Sequence, residues 1–295
     1  MGSITAWHVA ATGDDSGQAE RIRLIIARSQ VKSWLGSRDL GPHAYPFILA
    51  TLIHTWVKVG RHVVNQYYQS GEGREERVRD LFGEIAPRYD LINDLQSFGL
   101  HRAWKRKVVA LADVRAGIVA LDVCCGTGDI AFALRQSGAE VAGVDFSLPM
   151  LREAAARNEV PVGFVRGDAQ ELPFGDNTFD AVTVGYGLRN LASWQRGLEE
   201  MWRVAKVGGR LVVLEFGKPQ NALWRKLYFG YLRGAVPAFG RLFCNNAPAY
   251  AYIYESLQHY AGQEGVAEYM RQLGCREARV INLVGGAMSI NIGVK

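Results

Sequence analysis

The chain has 295 residues, 48% of them hydrophobic, and a formal net charge of +5. That is enough for one large domain with an extension, and it rules out a disordered or collagen-like chain. Four cysteines, two of them adjacent at Cys124 and Cys125, form neither a metal-ligand spacing nor a disulfide framework, so a reduced, intracellular protein is expected. The longest near-apolar run, 47–57, is interrupted by His54 and falls short of the roughly 20 residues that span a bilayer. The start shows no basic region followed by an apolar core, so no signal peptide is expected.

Residues 1–75 differ in character from the rest and read as a helical, partly flexible extension. Two amphipathic helices are expected there, near 19–34 and 46–67. In the second, Leu49, Leu52, Ile53, Trp56, Val63 and Tyr67 share a face opposite Lys58, Arg61 and Asn65. Packing on the domain is the plainer reading of that stripe, and a membrane-surface helix is the other.

The pattern becomes regular from about residue 76, and 76–295 reads as one domain. A helical leading segment runs to Leu111. Strands are then expected over 118–123, 140–145, 162–166, 179–185 and 209–215, alternating with helices over 130–136, 149–158 and 194–205. Such alternation gives a parallel sheet covered on both faces. After Phe216 comes a long aromatic insertion, then a helix over 265–273 and strands over 276–282 and 288–294. The expected fold is α/β and Rossmann-like: seven strands, mostly parallel, with an antiparallel C-terminal edge and lid elements near 85–107 and 218–260.

The most informative stretch is Val119-Ala-Leu-Asp-Val-Cys-Cys-Gly-Thr-Gly-Asp129. An apolar strand enters a glycine turn built on Gly126, Thr127 and Gly128, a helix follows, and the next strand ends on Asp145. This places a nucleotide-sized pocket at the carboxyl end of the sheet, with Asp145 set to accept hydrogen bonds from a ribose. The run also fits the dinucleotide fingerprint loosely. Two acids oppose that reading, Asp122 at the strand end and Asp129 at the helix start, because a pyrophosphate needs that helix N-terminus for itself. A cofactor with no phosphate and a positive charge fits better, and S-adenosylmethionine has both properties. Asp122 is then assigned to its amino group and sulfonium. Asp168, where the third strand ends, is assigned to the adenine amino group with Ala169 beside it. Taken singly, Asp122 and Asp168 also read as ordinary turn acids.

Four further runs carry a family resemblance. Tyr89-Asp-Leu-Ile-Asn93 through Ser97, His101 and Trp104 resembles the first signature of the quinone-biosynthesis C-methyltransferases, which methylate a polyprenylated ring in making ubiquinone and menaquinone. Arg203-Val-Ala-Lys-Val-Gly-Gly-Arg-Leu-Val-Val-Leu-Glu215 is similar to their second. Leu172 to Asp180 and Gly187-Leu-Arg-Asn190 match as well, so the resemblance covers roughly 78–295. The departures are Gly217 in place of a frequent serine, Gly185 in place of a frequent hydroxyl residue, and the Cys124–Cys125 pair opening the turn. The resemblance implies S-adenosylmethionine held by Thr127, Asp145, Asp168 and Ala169, with Gly185 nearby. The implied acceptor is a prenylated quinol, with demethylmenaquinol weakly preferred.

Carbon methylation needs a nucleophilic ring carbon, and a phenol with a pKa of about 10 must lose its proton to provide one. Arg189 is assigned to stabilise the phenolate and Asn190 to hydrogen-bond a ring oxygen; a helix-capping pair is the plainer alternative. Tyr89, Asp90, Asn93 and His101 are lid candidates, with His101 as the base, Asp90 its rival, and a solvated lid histidine the bland reading. No metal site is expected. From Lys218 to Arg241 there are five basic residues, no acids, and Trp224, Tyr228, Phe229, Tyr231 and Phe239. Arg102, Lys105, Arg106 and Lys107 form a second basic cluster. This composition suits an anionic membrane surface at the inner face of a membrane, and also nucleic acid or a solvated face. A homo-oligomer is compatible with the chain. The competing functions are an RNA methyltransferase, opposed by Gly-Tyr-Gly-Leu where Asp/Asn-Pro-Pro-Tyr would stand, and a non-catalytic cofactor-binding module.

Overall fold

The computed structural model describes Asp94, Ser97 and residues 99–157, 160–244 and 247–295. The two N-terminal helices expected near 19–34 and 46–67 lie outside the described residues, as do Tyr89, Asp90 and Asn93.

The described chain begins with helix α1 (Leu100–Ala112). Five strands and three helices then alternate: β1 (Val119–Val123), α2 (Asp129–Gln136), β2 (Glu140–Asp145), α3 (Leu148–Arg157), β3 (Gly163–Arg166), β4 (Phe179–Gly185), α4 (Trp194–Val204) and β5 (Ala205–Phe216). The aromatic insertion is a pair of helices, α5 (Ala222–Cys244) and α6 (Ala247–His259). Helix α7 (Gly262–Gln272) and strands β6 (Glu277–Leu283) and β7 (Met288–Val294) close the chain.

The seven strands form one sheet in the order β3-β2-β1-β4-β5-β7-β6. The first five are parallel, and β7 inserts antiparallel between β5 and β6. Helices cover both faces, so the central strands are predominantly apolar on both sides rather than alternating. Leu121, Val182, Leu211 and Val213 are fully buried on one face, and Ala120, Val212, Leu214 and Ile290 on the other. Each large side chain withdrawn in this way contributes about 1.5–3 kcal/mol.

Strand β5 starts four residues earlier than its pattern suggests. Ala205 pairs with Phe179, and a register shift between Phe179 and Ala181 lets the chain re-engage at Arg210. Bulges of this kind leave no period-two signature, so the sequence cannot announce them.

Helix α1 packs on the sheet where the expected lid segment ends. Val108, Val109 and Ala112 pack into the core cluster that also holds Ile130 and Val212. At its C-terminus, the Arg210 guanidinium donates to the Leu111 carbonyl at 3.1 Å and pairs with Asp113. At its other end, Lys105 Nζ meets Asp129 at 2.6 Å. The expected basic cluster is therefore divided: Lys105 is buried in an ion pair, Arg102 is held by Asp94, and Arg106 and Lys107 face outward.

Candidate active site

Turns at the carboxyl ends of β1 to β4 surround a cleft of about 870 Å3, its open mouth included. Its lining includes Gly126, Asp145, Asp168, Ala169, Gly185 and Asn190, six of the residues singled out in the sequence.

Asp145 anchors the cleft. One carboxylate oxygen accepts the Gly126 N–H at 2.9 Å, and the other accepts the Ser147 N–H at 2.8 Å. Gly126 (φ 55°) and Gly128 (φ 87°) are both left-handed, and a Cβ on Gly128 would lie 2.8 Å from the Phe132 ring. The turn thus requires glycine for conformation at both positions and for space at the second. Burial raises the Asp145 carboxyl above its ordinary value, and the backbone N–H donors partly offset this. Asp168 is more exposed, and its carboxylate accepts the Gln170 N–H at 2.8 Å. Gly185 leaves room for Ile130, whose Cδ1 would stand 2.6 Å from any Cβ placed there.

Other candidate residues are committed to neighbours within the fold. Asp122 lies 1% exposed beneath the turn, outside the cleft lining, and its carboxylate accepts the Thr183 hydroxyl at 2.7 Å. Burial lifts its pKa to about 7 against the opposing effects of Thr183 and Lys105. It sits behind the cofactor cleft rather than on its wall. Thr127 is buried in the same turn, where its carbonyl accepts the Arg157 guanidinium at 3.1 Å.

Asp129 does not oppose anions in the way the sequence suggested, because Lys105 and Arg157 neutralise it. Burial alone would raise its carboxyl, but the two cations outweigh burial and hold it at about 2.

His101 is not a solvated lid histidine. It is 2% exposed, and its Nδ1 lies 2.9 Å from the Ser97 hydroxyl. Burial, assisted by Lys105, lowers its pKa to about 4, so the ring is neutral at neutral pH.

Arg189 carries no uncommitted charge toward an acceptor. Its Nη1 meets Glu215 at 2.6 Å and the Tyr186 carbonyl at 2.8 Å, and its guanidinium stacks 4.7 Å over Phe216. A guanidinium buried this deeply requires such a partner. Asn190 is different. Its Nδ2 donates to the Tyr186 carbonyl at 3.0 Å, while its Oδ1 has no partner among the described residues and the residue lines the cleft.

The sequence did not single out Tyr186, Phe146, Met150, Gln170 or Glu215. Tyr186 lines the cleft in a left-handed conformation (φ 62°) that a non-glycine residue adopts at a cost. Phe146 and Gln170 follow recognised residues directly, and that adjacency was the available signal. Glu215 closes the second family signature, where its carboxylate accepts the Arg189 and Phe216 backbone N–H groups. The Cys124 and Cys125 thiols are pushed up by burial and by Asp145 and Asp122, so neither is poised as a nucleophile.

The donor set suits S-adenosylmethionine: among the described residues, two acids on a cleft wall with no cation lining it, glycines where the backbone must approach, and an unpartnered carboxamide oxygen at the rim. This sheet order with acids at successive strand ends defines an S-adenosylmethionine-dependent methyltransferase. Solved structures agree in fold. An S-adenosylmethionine-dependent methyltransferase, possible histamine N-methyltransferase, from Thermotoga maritima matches with a TM-score of 0.55 at 19% identity, covering 73% of this chain and 99% of that one. One from Aquifex aeolicus matches with a TM-score of 0.50 at 18% identity, covering 70% and 98%.

The chain belongs to the ubiE/COQ5 methyltransferase family, whose model matches residues 71–295. It is 40% identical over 220 residues to the demethylmenaquinone methyltransferase of Paenarthrobacter aurescens, covering 75% of this chain and 87% of that protein. It is 39% identical over 231 residues to that of Halalkalibacterium halodurans, covering 76% and 94%.

Proposed function

We propose that this enzyme methylates a ring carbon of a prenylated quinol, with demethylmenaquinol as the acceptor. The observation that carries this reading is Gly187-Leu-Arg-Asn190 at the cleft, with the Asn190 Oδ1 unpartnered, in a chain 40% identical to a demethylmenaquinone methyltransferase.

In this reading Asp145 holds the ribose hydroxyls, while Asp168 and Ala169 face the adenine edge. The Gly126–Gly128 turn lets the backbone close on the cofactor. Bound there, S-adenosylmethionine supplies an electrophilic methyl group. The protein's main contribution is orientation, which supplies up to about 7–11 kcal/mol when two reactants are held in attack geometry. Asn190 accepts a hydrogen bond from a ring hydroxyl and fixes which carbon faces the methyl group. The Arg189–Glu215 pair holds the short helical turn Leu188–Asn190 against the end of β5, so Arg189 acts as a positioning residue. His101 is buried and engaged by Ser97, so Asp90, relayed through water, is the proposed proton acceptor, assisted by Tyr89. The prenyl chain places the acceptor in a lipid bilayer, so we further propose that the enzyme works in peripheral contact with a membrane.

The test is methyl transfer from radiolabelled S-adenosylmethionine to reduced demethylmenaquinone, to a reduced ubiquinone precursor and to bulk RNA in parallel. Label in the naphthoquinol supports the proposal, and label in the benzoquinol alone moves the substrate. Label in RNA alone overturns the reading.

A further inference from the structure

Exposed apolar side chains are concentrated at one end of the sheet. Among the described residues six large hydrophobic side chains are exposed: Leu100, Leu148, Val207, Leu223, Leu227 and Val284. Scattered singly, such residues need no explanation.

Their placement follows from the topology. Leu148 opens α3, three residues beyond Asp145 at the carboxyl end of β2. Leu100 opens α1, which runs from Asp129 at the carboxyl end of the sheet down to Arg210 at the other. Val284 follows Leu283, which pairs with Met288, which pairs with Phe216 at the carboxyl end of β5. Leu223 and Leu227 lie one helical turn apart on α5. The intervening Trp224 indole donates to the Val284 carbonyl at 3.0 Å, and the adjacent Tyr228 hydroxyl donates to the Ala287 carbonyl at 2.9 Å. Val207 alone stands at the opposite end, beside Gly208, whose N–H meets the Lys295 carbonyl at 2.8 Å. Five of the six thus share the end of the molecule where the cleft lies.

Charge accompanies them. Arg225 and Lys226 are exposed between Leu223 and Leu227, Arg233 is exposed two turns further on, and no acid occurs between Lys218 and Arg241.

We propose that the carboxyl end of the sheet is a docking surface for an anionic phospholipid bilayer. Leu223, Leu227 and Val284 insert there, and Arg225 and Lys226 meet the headgroups. This rests on the prenylated-quinol reading and gives it an orientation: the cleft is presented to the bilayer, so a ring anchored by its chain reaches the methyl donor without leaving the lipid. The basic character of α5 favours an anionic lipid surface over a second copy of the chain, which would bring like charges together.

The test is co-sedimentation of the full-length chain with phosphatidylcholine vesicles, with and without phosphatidylglycerol, in the absence of cofactor and quinol. The wild type should bind the anionic vesicles. Leu223→Gln/Leu227→Gln should weaken partitioning by at least about tenfold. Arg225→Gln/Lys226→Gln should remove the preference for phosphatidylglycerol, and Val207→Gln should change nothing. As a second variant on separate elements, Leu100→Gln/Leu148→Gln should weaken binding too. Wild-type protein that stays in the supernatant overturns the proposal. So do leucine variants that bind like wild type, or that dissolve a dimer while vesicle binding persists. Vesicle binding is read without methyl transfer, so bound protein that methylates no quinol refutes only the substrate reading.

Discussion

The Arg189–Glu215 pair makes the sharpest prediction. The two side chains are 5% and 1% exposed and meet at 2.6 Å. The Glu215 carboxylate also accepts the Arg189 N–H at 3.2 Å and the Phe216 N–H at 2.9 Å. Glu215→Ala would strand a buried guanidinium, costing about 3–5 kcal/mol. It would also leave two N–H groups without their acceptor, at about 1–3 kcal/mol each. Those costs overlap, and together they approach the whole stability of an ordinary domain, about 5–15 kcal/mol. Glu215→Gln and Arg189→Met are gentler, because Gln keeps an acceptor and Met keeps much of the apolar stem. In a double-mutant cycle followed by urea unfolding, we expect a coupling of about 2 kcal/mol, the double variant being more stable than the sum of the singles. Both singles should bind S-adenosylmethionine like the wild type and lose kcat, because the pair fixes the Leu188–Asn190 turn and not the cofactor wall. Additivity within about 0.5 kcal/mol would refute the pairing. Lost cofactor affinity in a folded variant would refute the division of the site.

Asp145→Asn keeps one acceptor for the turn and loses the charge. Cofactor affinity by calorimetry should fall about 10- to 100-fold, matching about 1.5–3 kcal/mol for a charged hydrogen bond. Asn190→Ala should lower kcat/KM for the quinol by about tenfold or more and move cofactor affinity less than twofold, as steady-state kinetics with each substrate varied would show. His101, lowered from 6.5 to about 4, stays neutral in the fold while the unfolded chain takes up a proton. Its contribution is complete above pH 6.5 and is lost as pH falls toward 4. The loss is up to about 3 kcal/mol for about 2.5 pKa units at ~1.36 kcal/mol each. Asp122, raised from 3.8 to about 7, acts with the opposite sign, its contribution complete below pH 3.8 and lost as pH rises to 7. The stability difference between wild type and His101→Gln, followed across pH 4–7, cancels Asp122. A flat difference would show that His101 is not held neutral.

The sheet and its cleft were legible because parallel strands buried on both faces are written as apolar runs, each closed by a turn residue. Asp145, Asp168, Gly126 and Gly128 stand where strand ends and glycine turns predict. What sequence could not convey was commitment. Arg189, His101, Lys105 and Asp129 all look available as charges in a string of letters. In the fold each is tied to a group distant in sequence or on another turn: Glu215, Ser97, Asp129 and Arg157. Except for Ser97 and His101, four residues apart, such pairings depend on which elements cross, and no local spacing encodes them. Two side chains at adjacent positions, Arg189 and Asn190, therefore differ completely in availability. Among the described residues, the second keeps an unpartnered atom at the cleft and the first is committed to Glu215.

Asp129 shows how a conclusion can stand while its first reason fails. The sequence placed this acid at the helix start as a repellent of pyrophosphate, yet Lys105 and Arg157 cancel its charge. Its effect is to occupy those two cations. Without it, Lys105 and Arg157 would stand beside the N-terminus of α2 and the Gly126–Gly128 turn, a combination that binds phosphate well. Asp129→Asn should therefore shift the preference of the cleft rather than empty it. A unit change of charge at its edge is worth on the order of 1 kcal/mol at an effective dielectric near 20–30. S-adenosylmethionine should bind about fivefold more weakly, and adenosine diphosphate should gain affinity by a similar factor. Both shifts should shrink as salt is raised from 0.05 to about 0.5 M, because the pairs are partly exposed. Calorimetric titration of both ligands at two salt concentrations measures this directly. If both ligands weaken together, Asp129 is holding the turn in shape, and the sign of the cleft is set by Asp145 and Asp168 alone.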